Sequence, residues 1–336
     1  MNKNVLVLGA GVAGLQAALS LKELGYRVTI LEKSSSAGGH LKDWDKLYPG
    51  NISSSGLIDN LISALDGTDI LYNTTVTRSE KSDNGFITEI SSGEKIDSGA
   101  IVIASGFSLF DARIKEEYGY GIYRRVITNA DLEALFRSKE IHKMEMPAKV
   151  GFVHCVGSRD EKVCNRHCSK ICCMTAVKQA CEIKEIWPHA DVYCFYMDLR
   201  MFGRGYEDLY YEAQSKFGVN FIRGRVSEAG EDKDGKVVVK AEDTLTSRPL
   251  KITLDLLVLM SGMVRNTDNK TISDVFGIPT GEDGFFFQPS PLINPTSSDS
   301  SGIYFAGSAT GPKTVAESIN EARAAALAVH KFLSKD

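Results

Sequence analysis

Asn4-Val-Leu-Val-Leu-Gly9-Ala-Gly11-Val-Ala-Gly14 decides the fold. Its apolar opening reads as a buried strand of a parallel sheet. A G-x-G-x-x-G loop follows at once. A helix is expected over 13–24, ending at Gly25, and a second strand over 27–31 closes on Glu32. Strand, glycine loop, helix, strand and an acid about 20 residues on form a βαβ dinucleotide-binding unit with a right-handed crossover. Gly9 permits the tight turn, Gly11 lets a pyrophosphate approach the backbone, and Gly14 lets helix pack on strand. The helix N-terminus offers free N–H groups and partial positive charge to the phosphates. Glu32 is expected to accept hydrogen bonds from ribose hydroxyls.

Features further along favour FAD over NAD in this loop. Ala37-Gly38-Gly39-His40 follows Glu32 at the distance where flavoproteins wrap the cofactor. Strands ending in Ala104-Ser-Gly106 and Ala306-Gly307-Ser308 resemble two later flavin-fold signatures. A helix starting at Pro312-Lys313-Thr314-Val315 is expected to point N–H groups, and Lys313, at the flavin pyrimidine edge. The intervening pattern predicts a helix over 57–65 and a small antiparallel layer over 69–103, with turns at Asp83-Asn-Gly85 and Ser91-Ser-Gly93. A second nucleotide-fold unit begins near 149. Its expected strands are 150–154, 191–197, 219–222, 236–241 and 256–260, and its expected helices 169–187 and 206–217. The last strand, 302–307, and an alanine-rich helix over 313–333 are needed to complete the first unit. The expected architecture is therefore α/β, with two Rossmann-like dinucleotide-binding domains, the second inserted in the first. The expected boundaries are 1–142 and 266–336 for the first domain and 143–265 for the second.

All seven cysteines fall between Cys155 and Cys194. The quartet Cys155-x12-Cys168-x3-Cys172-Cys173 stands where a second phosphate loop belongs, and the sequence there is Cys155-Val-Gly-Ser-Arg-Asp160 rather than another G-x-G-x-x-G. A thiolate site in place of a nicotinamide site follows. Four thiolates suit an iron–sulfur cluster or zinc, although the spacing matches neither common ferredoxin runs nor a zinc-finger pair. Cys164 shares a face with Cys168 and Cys172 if the segment is helical, and His154 and His167 are lesser ligand candidates. A catalytic disulfide is disfavoured. The chain has no C-x-x-C, and adjacent cysteines, with Cα atoms about 3.8 Å apart, bridge only with strain. Cys181 and Cys194 read as small core residues. Ser297, Ser298 and the scattered histidines form no recognisable triad.

The bulk composition excludes several classes. At 336 residues, 43% hydrophobic and 24% charged, with net charge −4, the chain reads as a soluble multidomain protein with no pull toward nucleic acid or anionic membrane. The apolar run 254–264 is too short to span a bilayer, and the first residues lack secretory-signal character, so a cytoplasmic protein with reduced thiols is expected.

With both sites read, the chain resembles the flavin-carrying A subunits of heterodisulfide reductases. The matching stretches are Gly9-Ala-Gly-Val-Ala-Gly-Leu-Gln-Ala-Ala18, Cys155-Val-Gly-Ser-Arg-Asp-Glu161, Cys168-Ser-Lys-Ile-Cys-Cys-Met174, Arg223-Gly-Arg225 and Gly311-Pro-Lys313. The resemblance implies a thioredoxin-reductase-like flavoprotein fold, non-covalent FAD and one 4Fe–4S cluster. It implies Cys155, Cys168, Cys172 and Cys173 as cluster ligands, leaving Cys164 out. The expected FAD set is Gly9, Gly11, Val12, Ala13, Gly14, Glu32, Lys33, Gly39, His40, Leu41, Val76, Ser105, Gly106, Gly307, Ser308, Lys313, Thr314 and Val315. Large family members carry further ferredoxin-type cysteine runs and cysteines near the flavin. Here Leu47-Tyr-Pro-Gly-Asn-Ile-Ser-Ser-Ser-Gly56 stands in that second place. The chain thus looks like the compact form found in sulfur-metabolising heterodisulfide-reductase-like complexes. Its expected role is electron transfer between flavin and iron–sulfur partner subunits, in a homodimer that is not membrane-integral. A self-sufficient NAD(P)H-dependent disulfide reductase is the alternative.

Overall fold

Asn4–Leu8 pairs in parallel with Arg27–Leu31 on one side and with Ala100–Ile103 on the other. Ile303–Phe305 extends this sheet beyond Ala100–Ile103, and Asp69–Leu71 extends it beyond Arg27–Leu31. The result is a five-stranded parallel sheet in a computed structural model that describes residues 2–334. Its central strands are apolar on both faces because helices cover both. Helix Val12–Glu23 packs against the C-terminal helix Val315–Leu333, so the last helix completes a unit begun by the first strand. The antiparallel layer is Val76–Ser82, Gly85–Ile90 and Lys95–Ser98. The expected layer began at 69, but Asp69–Leu71 belongs to the parallel sheet.

A second parallel sheet runs in the order Val126–Thr128, Leu256–Ser261, Lys149–Val156, Asp191–Tyr196, Asn220–Arg223. Helix Cys172–Ile186 covers it, starting later than the expected 169. Lys170 sits at φ +66°, a left-handed conformation that cannot belong to a right-handed helix. A three-stranded antiparallel ribbon, Val226–Glu231, Val237–Asp243 and Arg248–Leu254, follows.

Two units emerge. One comprises the residues up to Lys42, Ser53–Ser108 and those from Val264 onward. The other comprises Asp43–Ile52 and Leu109–Met263. The second unit thus starts well before the expected residue 143. Leu132, Phe136 and Ile141 are buried in the core that also holds Val150, Phe152 and Val258. The short strand Val126–Thr128 joins the second sheet.

A buried ion pair locks the second unit. Lys178 Nζ lies 2.6 Å from Glu133 Oε1 and 2.9 Å from the Lys46 carbonyl, while Gln179 Nε2 donates to the same Glu133 oxygen at 2.9 Å. Both charged side chains are about 5% exposed. Lys178→Met would leave Glu133 charged without its cation, a loss of about 3–5 kcal/mol for a broken buried pair. A denaturant midpoint measured on purified protein checks it; an unchanged midpoint would show the pair to be structurally idle. Among the described residues no helix is long and apolar enough to cross a membrane.

Candidate cofactor and thiolate sites

In the first unit the expected cofactor residues collect beyond the carboxyl ends of the parallel strands, where open α/β sheets place their ligands. Gly9 follows Asn4–Leu8, Glu32 follows Arg27–Leu31, Ser105 and Gly106 come just after Ala100–Ile103, and Gly307 and Ser308 come just after Ile303–Phe305. Close packing demands glycine at two of these positions. A Cβ on Gly14 would lie 1.8 Å from the Gly9 carbonyl oxygen, and one on Gly307, at φ +68°, would lie 2.6 Å from Ala13 Cβ. Gly11 is different. It caps helix Val12–Glu23 at φ −75° with no side-chain cap, and a Cβ there would meet nothing within 4 Å. An open space therefore faces uncapped helix N–H groups, which is the cradle a pyrophosphate needs.

Glu32 is buried, and its two oxygens accept the Ala10 and Ser34 N–H groups at 2.8 Å each. The carboxylate thus braces the glycine loop, and its remaining lone pairs are what a ribose could use. Lys33 is drawn to Asp268, at 2.6 Å. Gly39 sits against Gly11, since a Cβ on it would be 3.3 Å from Gly11 Cα. His40 stacks on Phe107 at 4.3 Å and shares a hydrogen bond with its carbonyl at 2.9 Å. Ser105 donates to Asn269 Oδ1 at 3.1 Å, and Leu41 and Val76 are buried apolar walls. Val315 opens the last helix, which Thr314 caps in a reciprocal box with Glu317. Lys313 precedes the helix, and its ammonium bonds the Gly307 carbonyl at 2.9 Å and Glu321 at 3.1 Å. Sequence reading missed Glu321. It lies two turns into an alanine-rich helix, where a lone acid carries no signal of its partner.

The second unit holds the cysteines. Cys155 lies inside strand Lys149–Val156, rather than just after it. The strand's register with Leu256–Ser261 shifts between Val153 and Val156, and Cys155 takes φ +59°. Cys172 and Cys173 open helix Cys172–Ile186, whose N-terminus has no side-chain cap and favours thiolate. Cys168 is half-buried, and its Sγ accepts the Lys170 N–H at 3.3 Å. Burial chiefly pushes the Cys172 thiol well up, with Cys155, Cys173 and Cys168 adding to it. Burial pushes Cys173 up to about 11, again with Cys155 and Cys168 contributing. Cys164 stands apart, exposed at φ +58° beyond a single 3₁₀ turn, so the helical face it was to share with Cys168 and Cys172 does not exist. His167 Nε2 bonds the Met263 carbonyl at 2.8 Å. His154 is buried beside the Tyr196 ring with neither ring nitrogen bonded, and burial lowers its pKa to about 4.

Among the described residues no three His, Cys, Asp or Glu side chains converge to hold a metal ion. A single zinc draws its ligands to roughly 2.3 Å of one point. Cys155, Cys168, Cys172 and Cys173 are not brought together in that way.

Residues 3–144 match the pyridine nucleotide-disulphide oxidoreductase family, so an oxidoreductase domain opens the chain. The iron-sulfur A subunit of the CoB–CoM heterodisulfide reductase of Methanocaldococcus jannaschii is 32% identical over 420 positions, covering 98% of this chain and 64% of that protein. The A subunit of the H(2)/formate:CoB-CoM heterodisulfide,ferredoxin reductase of Methanococcus maripaludis gives the same identity and coverage. The chain thus spans slightly less than two thirds of these relatives. An aligned span longer than the chain's 336 residues means that they carry insertions it lacks. Thioredoxin reductases share the fold. That of T. acidophilum superposes with TM-score 0.67 at 20% identity, covering 98% of this chain and 99% of that one. That of Lactococcus lactis superposes with TM-score 0.70 at 19% identity, covering 99% of each. The resemblance and the fold read from the sequence are both borne out.

Proposed function

We propose that this relative of heterodisulfide reductase A subunits is the electron-transfer component of a heterodisulfide-reductase-like complex, holding FAD in its first unit and a 4Fe–4S cluster on Cys155, Cys168, Cys172 and Cys173. When bound, FAD supplies two-electron exchange and the cluster one-electron exchange. The observation that carries the reading is where the four cysteines fall in the fold: Cys155 at a strand bulge, Cys172 and Cys173 at a helix N-terminus and Cys168 half-buried just before that helix, with Cys164 exposed. Gly11 and the uncapped helix above it receive the pyrophosphate, Glu32 the ribose, and Gly39, His40 and Leu41 form one wall. Lys313, charge-balanced by Glu321, and the N-terminus of helix Val315–Leu333 stand at the other end of the site. Partner subunits provide the disulfide or sulfur chemistry. The protein works in the cytoplasm as a homodimer within that complex. Iron and acid-labile sulfide counts on anaerobically purified protein test the cluster; zinc without sulfide is the result that sinks it.

A second nucleotide site is not part of this reading. Where a second glycine loop would lie, a Cβ on Gly157 would be 2.0 Å from the Phe110 ring, so that turn is filled by an aromatic side chain. The opening above Gly11 has no counterpart there. NADH is therefore expected to reduce the flavin at a small fraction of any turnover rate. Anaerobic stopped-flow mixing checks this, and rapid bleaching of the flavin absorbance by NADH would favour a self-sufficient NAD(P)H-dependent reductase instead.

A further inference from the structure

We infer that Asn266 is a positioning residue of the flavin site, tying Lys33 to Ser105 with Asp268 as a latch, and that this tie holds the adenosine end of the site ready for its ligand. The inference rests on the flavin reading above and concerns this chain's own residues. All of them lie in the first unit.

Lys33 and Ser105 come from opposite sides of the strand that carries the glycine loop. Arg27–Leu31 flanks Asn4–Leu8 on one side and Ala100–Ile103 flanks it on the other. The two outer strands therefore run two strand spacings, about 10 Å, apart. Lys33 and Ser105 each stand just past one of them. Asn266 joins the two. Its Nδ2 donates to the Ser105 carbonyl at 2.6 Å, and its Oδ1 accepts from Lys33 Nζ at 3.4 Å. The same Oδ1 accepts the Asp268 N–H at 3.0 Å, a local turn that fixes the direction of the side chain. Asp268 in turn pairs with Lys33 at 2.6 Å. Asn269 accepts the Ser105 hydroxyl at 3.1 Å and donates to the Gly284 carbonyl at 3.0 Å. Ser105 is thus held at its carbonyl and its hydroxyl, and Lys33 at its charge, by the stretch through which the chain re-enters the first unit from Val264. Asn266 is 6% exposed and Asn269 fully buried. Buried amides persist where their hydrogen bonds are made, so these bonds fix the geometry of the loops they join.

A loop already fixed when the ligand arrives costs nothing to order. In the reading above Glu32 takes the ribose, so Lys33, the next residue, stands at the adenosine end. Cutting the tie loosens both loops there, and any ligand with an adenosine diphosphate half must then order them. The Lys33 and Asp268 side chains are 45% and 41% exposed, so water screens the pair, and its loss is expected to weaken binding about threefold. Removing the buried Asn266 side chain leaves the Ser105 carbonyl unpaired, and a loss of at least about tenfold is expected.

The test measures FAD and ADP affinity of the flavin-stripped full-length protein and of K33M, D268N, K33M/D268N and N266A, with the denaturant midpoint of each. The expected result is weaker binding of both ligands, by the same factor, in every variant. The double variant should bind no worse than the weaker single, because both changes break one contact. Unchanged ADP affinity in N266A and in the double variant overturns the inference. So does a weakening in K33M that D268N does not share, and so do single effects that multiply in the double. Coupling seen in the denaturant midpoints and absent from the ADP affinities marks a merely structural tie and overturns it as well. Should N266A fail to fold, the cycle on the two half-exposed side chains decides alone. A parent protein that takes up no FAD removes the flavin reading itself, and this inference with it.

Discussion

Cys168→Ala is expected to abolish the broad iron–sulfur absorbance and leave the flavin bands in place. Cys168 is the half-buried member of the quartet, so its loss opens no large cavity, unlike truncation of a buried apolar side chain. Without that thiolate the remaining three cannot complete a four-sulfur site. In the proposed reading the flavin is held by residues of the other unit, through the loops after Asn4–Leu8, Ala100–Ile103 and Ile303–Phe305, so it is expected to stay. Cys164→Ala is the control. Its thiol is exposed, and iron and sulfide should match the parent. Parallel metal analysis and visible spectra check both. Cluster loss in the Cys164 variant with retention in the Cys168 variant would reverse the ligand assignment. Because burial holds the thiols protonated in the absence of metal, assembly must release protons. Reconstitution should therefore be more complete as pH rises.

Gly11→Val is expected to yield a folded protein that purifies with little flavin. The protein itself tolerates the change. Gly11 has φ −75°, which any residue adopts, and the added Cβ meets no protein atom within 4 Å. In flavin-free form, stability should fall by no more than about 1 kcal/mol against the stripped parent, because valine is a poorer helix N-cap than glycine. The branched side chain instead fills the space over the helix N-terminus, where the pyrophosphate lies in this reading. Affinity should fall at least about tenfold, ~1.4 kcal/mol. Comparing stripped proteins matters, because bound flavin stabilises the folded state by mass action. A variant as yellow as the parent would place the cofactor elsewhere.

Much of the fold was legible because its signals are local. The strand at 4–8, the three spaced glycines and Glu32 lie within one βαβ unit, and each residue answers to one steric or electrostatic demand. That the last strand returns to the first sheet was readable for a different reason: a half-built nucleotide fold needs a further strand and a covering helix. Other elements left no local mark. Val126–Thr128 and Asp69–Leu71 are three residues long, too short for any period to show, and their places in the two sheets are set by neighbours far away in sequence. Arg248–Leu254 carries Pro249 and is largely exposed, so its strand character comes from pairing with Val237–Asp243. The cysteine spacing pointed to a site, but the pattern treated Cys164 as a possible member. The resemblance alone leaves Cys164 out, and the left-handed φ angles at Cys164 and Lys170, invisible in composition, show that its segment is no helix. The Arg159–Asp198 ion pair spans 39 residues and two loops, and no motif reports a contact of that kind.

The central claim is that one chain joins a flavin site to a four-thiolate cluster site. An anaerobic visible spectrum of freshly purified protein, with flavin, iron, sulfide and zinc counted per chain, tests it most directly. The expected result is about one FAD with about four irons and four sulfides, and a broad absorbance near the flavin bands that bleaches on reduction. A flavin-free protein, or one carrying about one zinc and no sulfide, would contradict it.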